Sequence, residues 1–188
     1  MLTQAGCRPR NLYRRIARKQ WGNAMAGDPY RFTPIQDCKP GELLRATVTV
    51  GRTDWIIMGQ DKRFVILNPP AGPRSVNVVR GGKIAEGFTA FAPLNYGKNY
   101  SIVPDHGGPC DIGQGPLFKT PGSLIFADAD LYLYAPSEAS EGASYLDLTT
   151  FKLHGDPGGN RAAFGFWTLW YEGFEQAITL MTFPPSGH

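Results

Sequence analysis

Asp105, His106, Cys110 and Asp111 put four potential metal-ligating or acid-base side chains into one short stretch, DHGGPCD. His106 and Cys110 are four apart, a spacing that serves a metal ion when a second ligand pair completes the shell. The remaining histidines, His154 and His188, have no partner pattern, and His188 is the last residue. The segment is expected as a solvated loop with no metal. Asp128 and Asp130 form a second D-x-D grouping. In a strand of period two both acids point to one side, and the polar outer face of a half-buried sheet accounts for them. Acyl transfer finds no G-x-S-x-G elbow and no cysteine in a motif with a histidine. Three histidines supply a general base poorly. Carboxylate pairs for glycoside hydrolysis meet only in the fold, and nothing in the sequence selects one. Arg80-Gly81-Gly82-Lys83 lacks the spacing of a phosphate-binding loop and reads as a hairpin tip. We therefore expect a protein that is not an enzyme and carries no cofactor.

Two features point to binding instead. Six basic residues (Arg8, Arg10, Arg14, Arg15, Arg18 and Lys19) lie between positions 8 and 19 with no acid among them, and Trp21 follows. Residues 1–40 hold eight basic and two acidic side chains, a balance of +6, whereas the rest holds 11 basic and 14 acidic, a balance of −3. A basic arm on a slightly acidic body seeks an acidic partner: a protein face, nucleic acid or a membrane surface. The second feature is the aromatic run FGFWTLWY, from Phe164 to Tyr171. Trp167, Leu169 and Tyr171 share one strand phase, and Phe166, Thr168 and Trp170 the other. A strand apolar on both faces has to be covered on both faces. Phe166, Trp167, Trp170 and Tyr171 are therefore expected as core plus subunit interface or, as the alternative, as a carbohydrate platform.

These residues need elements to position them. Gly and Pro together make up 23 + 16 = 39 of 188 residues, about a fifth against a usual share of roughly 12%. That many breakers leave no room for a helical bundle. The length predicts one domain, with 1–40 as arm and connector and 41–188 as the body. Asn11 to Gln20 reads as one short amphipathic helix, Leu12 and Ile16 on its apolar face, needing a surface to form on. The arm has the Arg-rich composition of a transit peptide, yet is expected to be retained and docked, on its own body or on another subunit. No apolar leader and no run of about 20 apolar residues is seen, so neither a secretory signal nor a membrane span is expected. Cys7, Cys38 and Cys110 are odd in number and far apart, which predicts reduced thiols.

Nine or ten strands are expected in the body. They include 44–50, a hairpin of 55–58 and 64–67 around Asp61-Lys62, 75–79 turned by Gly81-Gly82, 88–92, 100–103, 124–134, 146–153, 164–171 and 177–183. Residues 22–41 are expected as an extended connector. Asn68 to Pro73 reads as a stop, and Pro104 to Pro116 and Ser137 to Ser144 as loops. Turn signals every 8–12 residues point to an all-β antiparallel sandwich or jelly roll.

Lys62-Arg63-Phe64-Val65-Ile66-Leu67-Asn68-Pro69, then Val76-Asn77-Val78-Val79, Phe91-Ala92-Pro93, Lys98-Asn99-Tyr100-Ser101-Ile102 and Gly122-Ser123-Leu124-Ile125 form a loose pattern across Lys62 to Tyr134. It resembles small β-sandwich structural proteins of tailed-bacteriophage virions. Leu94-Asn95-Tyr96-Gly97 stands where that family has a glycine-rich turn, and the arm and the aromatic C-terminal third lie outside the match. The resemblance implies a structural role, as capsid cement, decoration or fibre adaptor, and no catalytic residues. The expectation is thus a virion cement protein made in the host cytoplasm. It would be a homo-oligomer, with a trimer favoured, held by its arm on the major capsid protein or another virion subunit, with no membrane partner. Nucleic acid is the less favoured partner. A jelly-roll capsid, penton or head-tail adaptor and a lectin-like module are the alternatives.

Overall fold

A computed structural model describes residues 31–49, 52–67, 79–83, 92–136, 145–172 and 176–183. The arm (Arg8, Arg10, Arg14, Arg15, Arg18, Lys19 and Trp21), its expected helix, the Asn68 to Pro73 stop, and the segments 75–78, 84–91 and 137–144 lie outside the described residues.

Every strand pairing in the described residues is antiparallel, and the strands form three sheets. The first sheet is built from β1 (Arg31–Phe32), β2 (Leu43–Thr49), β3 (Arg52–Met58), β4 (Arg63–Leu67), β5 (Val79–Lys83) and β6 (Leu94–Asn95), in the order β1-β6-β2-β3-β4-β5. The third contains β7 (Tyr100–Pro104), β14 (Trp167–Glu172) and β15 (Ala177–Phe183), in the order β15-β14-β7. The second holds β8 (Cys110–Ile112), β9 (Leu124–Ala127), β10 (Asp130–Tyr134), β11 (Tyr145–Asp147), β12 (Leu153–His154) and β13 (Arg161–Phe164), in the order β12-β11-β10-β9-β13-β8. Two 3-10 turns, η1 (Ile35–Asp37) and η2 (Pro116–Lys119), complete the described elements, none of which is a helix long and apolar enough to cross a membrane.

The β3–β4 hairpin turns where the sequence predicts it. Asp61 and Lys62 both take positive φ, 55° and 56°, the pair of left-handed residues that matches the twist of two joined strands. Several other expectations are corrected. Gly81 and Gly82 do not turn the chain; they lie inside β5, opposite Val65 and Phe64, because glycine adopts extended backbone as readily as a turn. The 124–134 stretch is not one strand but the β9–β10 hairpin, reversed at Asp128-Ala129 with Asp128 at φ 53°. A two-residue turn exchanges the phases, so Leu124 pairs with Leu133 and Ile125 with Tyr132. Asp128 therefore sits in the turn and shares no strand face with Asp130. Residues 146–153 likewise fold back, through a turn fastened by Asp147, whose Oδ1 accepts from the Thr149 and Thr150 amides at 2.7 and 3.1 Å. The Pro104 to Pro116 loop contains β8, and part of the 22–41 connector is woven into the first sheet as β1 and η1. Hairpins with such short, glycine-poor turns raise the count to fifteen strands among the described residues, above the nine or ten expected.

One core is shared by all three sheets. It joins Leu43, Trp55 and Ile57 of the first sheet, Leu124, Leu133 and Phe164 of the second, and Trp167, Leu169 and Phe183 of the third. The first sheet is apolar on its other face as well. Leu44, Ile56, Met58 and Ile66 are buried there in a cluster with Ile35 of η1. Burial on both faces explains why WIIM and FVIL read as unbroken apolar runs. Tyr96 links the first and third sheets, its ring edge-on to Trp55 at 5.0 Å and to Tyr171 at 5.5 Å.

Candidate functional site

The aromatic run predicted as one strand is cut in two. Gly165 and Phe166 form a corner between β13 in the second sheet and β14 in the third. The Gly165 amide donates to the Pro109 carbonyl at 3.0 Å, and the Asp105 amide donates to the Phe166 carbonyl at 2.8 Å, so both corner groups are satisfied outside the sheets. Beyond the corner, β14 alternates buried and half-buried residues, as a strand covered on one side should.

That alternation separates the four expected platform residues. Trp167 and Tyr171 point into the core, 0% and 1% exposed, so the expectation that they form an interface or a ligand platform is corrected for these two. Trp167 stacks on Phe183 with centroids 5.0 Å apart, and its Nε1–H donates to the Gly122 carbonyl at 2.6 Å. Phe166 lies at the corner, partly exposed, beside Gly108. Trp170 is half-buried on the opposite side of β14. Strands with both faces covered by this chain itself lie in the first sheet.

What remains on the outer face of the third sheet is one compact surface. The register sets Trp170 beside Ser101 and Thr179, and Thr168 beside Val103 and Thr182. Val103 is 42% exposed and Thr179 is exposed. The indole ring sits among four hydroxyl side chains and one valine, with half-buried Glu172 next in the same phase of β14. Such a surface can take the C–H face of a sugar or a flat strand surface of another protein. The hydroxyl-bearing neighbours were not legible as a site in the sequence, because the three strands that bring them together lie more than sixty residues apart at their extremes.

The other chemistry-bearing residues are occupied in holding loops. Asp111 Oδ2 accepts from the Leu117 amide at 2.9 Å and fastens η2. A Cβ on Gly115 would overlap that carboxylate, which explains the glycine. His106 stands edge-on to Phe164 at 5.9 Å. Asp147, besides its turn contacts, lies 4.0 Å from His154 Nε2, and Tyr132 stands edge-on to the same imidazole at 6.2 Å. Burial, then the carboxylates of Asp130, Asp147 and Asp128, push the Tyr132 phenol upward. Glu42 Oε2 accepts from the Lys39 amide and from Asn95 Nδ2, both at 2.8 Å, tying the start of β2 to β6. Sequence reasoning missed the Asp147 and Glu42 networks, since neither belongs to a motif. The Cys38 thiol is pushed up to about 12 by burial and then by Glu42 and Asp37, which favours its protonated form. Among the described residues no group of three or more His, Cys, Asp or Glu side chains is placed to hold a metal ion.

No protein-family model matches the chain, and no curated protein or solved structure matches it.

Proposed function

We propose that this protein is a structural component of a tailed-phage virion, a cement or decoration protein whose all-β body is fixed to the shell by its basic N-terminal arm. The observation that carries the reading is the partition of charge: +6 in residues 1–40 against −3 in the remainder. An arm of that charge gains affinity for an acidic face, and its tether to a folded body holds the second contact at high effective concentration. The loose Lys62 to Tyr134 pattern agrees with it. A main core filled from three antiparallel sheets supports the finer description of the body as a sandwich. The role calls for no catalytic centre, and copies of the chain would assemble on the shell.

The test is deletion of residues 1–20. The truncated body should keep its far-UV circular dichroism and lose co-sedimentation with phage heads stripped of the protein. Binding that survives the deletion refutes the anchoring role. Steeply salt-dependent binding to nucleic acid would move the arm's partner from protein to genome.

A second reading rests on Trp170. Its indole, set among Ser101, Thr168, Thr179 and Thr182 on the outer face of the third sheet, suits a lectin-like contact. Glycan-array binding that disappears in Trp170→Ala would favour it.

A further inference from the structure

The three sheets end in six edges, and these are not protected alike. β1 and β12 are two residues long and β8 is three. β5 includes Arg80 and Lys83. β7 closes on Pro104, which has no N–H to offer. Short length, charge, proline and β-bulges are means by which a sheet edge avoids recruiting another strand. β15 has none of the first three, and its one irregularity is a register shift at Leu180, beyond its exposed first three residues. It runs seven residues, AITLMTF, without a charge or a proline. It ends the third sheet, and no strand of the described residues pairs with its outer side. Its first three residues are exposed, Ile178 among them at 42%.

We propose that β15 is a homotypic docking edge: β15 of a second copy pairs with it antiparallel about a two-fold axis, joining two third sheets into one six-stranded sheet. A two-fold contact sets residue i of one copy against j of the other and j against i. Any charged strand in such a contact brings like charges close together, which opposes pairing. β15 has no charge to repel its copy, whereas a partner recognised by charge finds nothing to read on it. The joined sheet also runs the two outer faces together, with a Trp170 from each copy on one continuous surface. A two-fold contact implies an even number of copies, in place of the trimer expected from sequence. The inference does not rest on the virion reading, since it requires neither the arm nor a shell.

The experiment is sedimentation velocity on the full-length chain over a concentration series, at low and at high salt. Full-length Thr179→Lys is run beside it, with circular dichroism to show that both are folded. Thr179 is exposed on the outer face, so the substitution acts on pairing between copies. The wild type should sediment at twice the chain mass at both salt concentrations. Thr179→Lys should weaken association roughly tenfold or more, each factor of ten being about 1.4 kcal/mol. An equimolar mixture of Thr179→Lys and Thr179→Glu should recover the doubled mass. Should Thr179→Lys lose its fold, Ala177→Lys at the exposed start of the strand gives the same reading. A wild type that stays at the chain mass at every concentration overturns the proposal. So does a doubled mass that a folded Thr179→Lys leaves unchanged, or one that dissolves in high salt, which would assign association to the basic arm.

Discussion

Trp167 and Trp170 stand three residues apart and are chemically identical, yet the fold gives them opposite work. Trp167 is fully buried, stacked on Phe183, and its Nε1–H satisfies the Gly122 carbonyl at 2.6 Å. Truncating a buried tryptophan to alanine costs about 3–5 kcal/mol in lost transfer energy and cavity formation. The orphaned Gly122 carbonyl adds about 1–3 kcal/mol. Against a total stability of about 5–15 kcal/mol for a domain, Trp167→Ala should leave the body at or beyond the edge of unfolding. Trp167→Phe keeps most of the stacking and loses the donor, so it should cost roughly 2–4 kcal/mol, the carbonyl penalty plus about one buried methylene or two. Trp170, half-buried on the outer face, has no core to collapse, and Trp170→Ala should cost about 1 kcal/mol or less. Urea unfolding of the three variants, followed by far-UV circular dichroism, measures each difference. Equal costs at positions 167 and 170, or a Trp167→Phe variant as stable as wild type, would refute the assignment of β14's two faces.

Two further outcomes follow from local geometry. Gly122 has φ 90°, and a Cβ built there would run into the Phe183 ring. Gly122→Ala should therefore lower stability by more than about 1 kcal/mol, the usual size of a left-handed backbone penalty, and thermal unfolding measures it. Cys38 has its folded pKa raised from 9.0 to about 12, burial being the main cause. A raised folded pKa contributes stability that is complete below the unfolded value and fades as pH climbs through the folded one. Stability should thus fall between pH 9 and pH 12, and Cys38→Ser should flatten that decline in an alkaline unfolding series. Iodoacetamide at pH 8.5, read by peptide mass, should modify exposed Cys110 well before Cys38.

The all-β class was legible because it depends on what the sequence displays directly: dense Gly and Pro, short apolar runs, and turn residues at regular intervals. The β3–β4 hairpin was legible for the same reason, with Asp61-Lys62 set between WIIM and FVIL. Strand boundaries were not. In LIFADADLYLY one phase (Ile125, Ala127, Ala129, Leu131 and Leu133) is apolar from end to end, so nothing in its pattern marks the reversal at Asp128-Ala129. Alternation is preserved on both arms of a hairpin, and only the pairing of Leu124 with Leu133 reveals that the phases have crossed. Gly81-Gly82 failed in the opposite sense, since a glycine pair signals a turn yet can be paired like any other residues when a neighbouring strand is waiting for it.

The same limit explains why the aromatic run pointed partly the wrong way. Alternation divides FGFWTLWY into two phases but says nothing of which phase is inside, and an apolar content on both sides makes them look equivalent. The fold breaks that equivalence with the Gly165-Phe166 corner, which sends β13 and β14 to different sheets and turns Trp167 toward Phe183. Cover on both sides from within the chain belongs to β2, β3 and β4, where Leu44, Ile56 and Ile66 lie in the cluster that Ile35 joins. Surplus apolar surface is therefore consumed largely inside the chain. Self-association then falls to the backbone rather than to the tryptophans, at β15, the long edge among the described residues that neither charge nor proline defends.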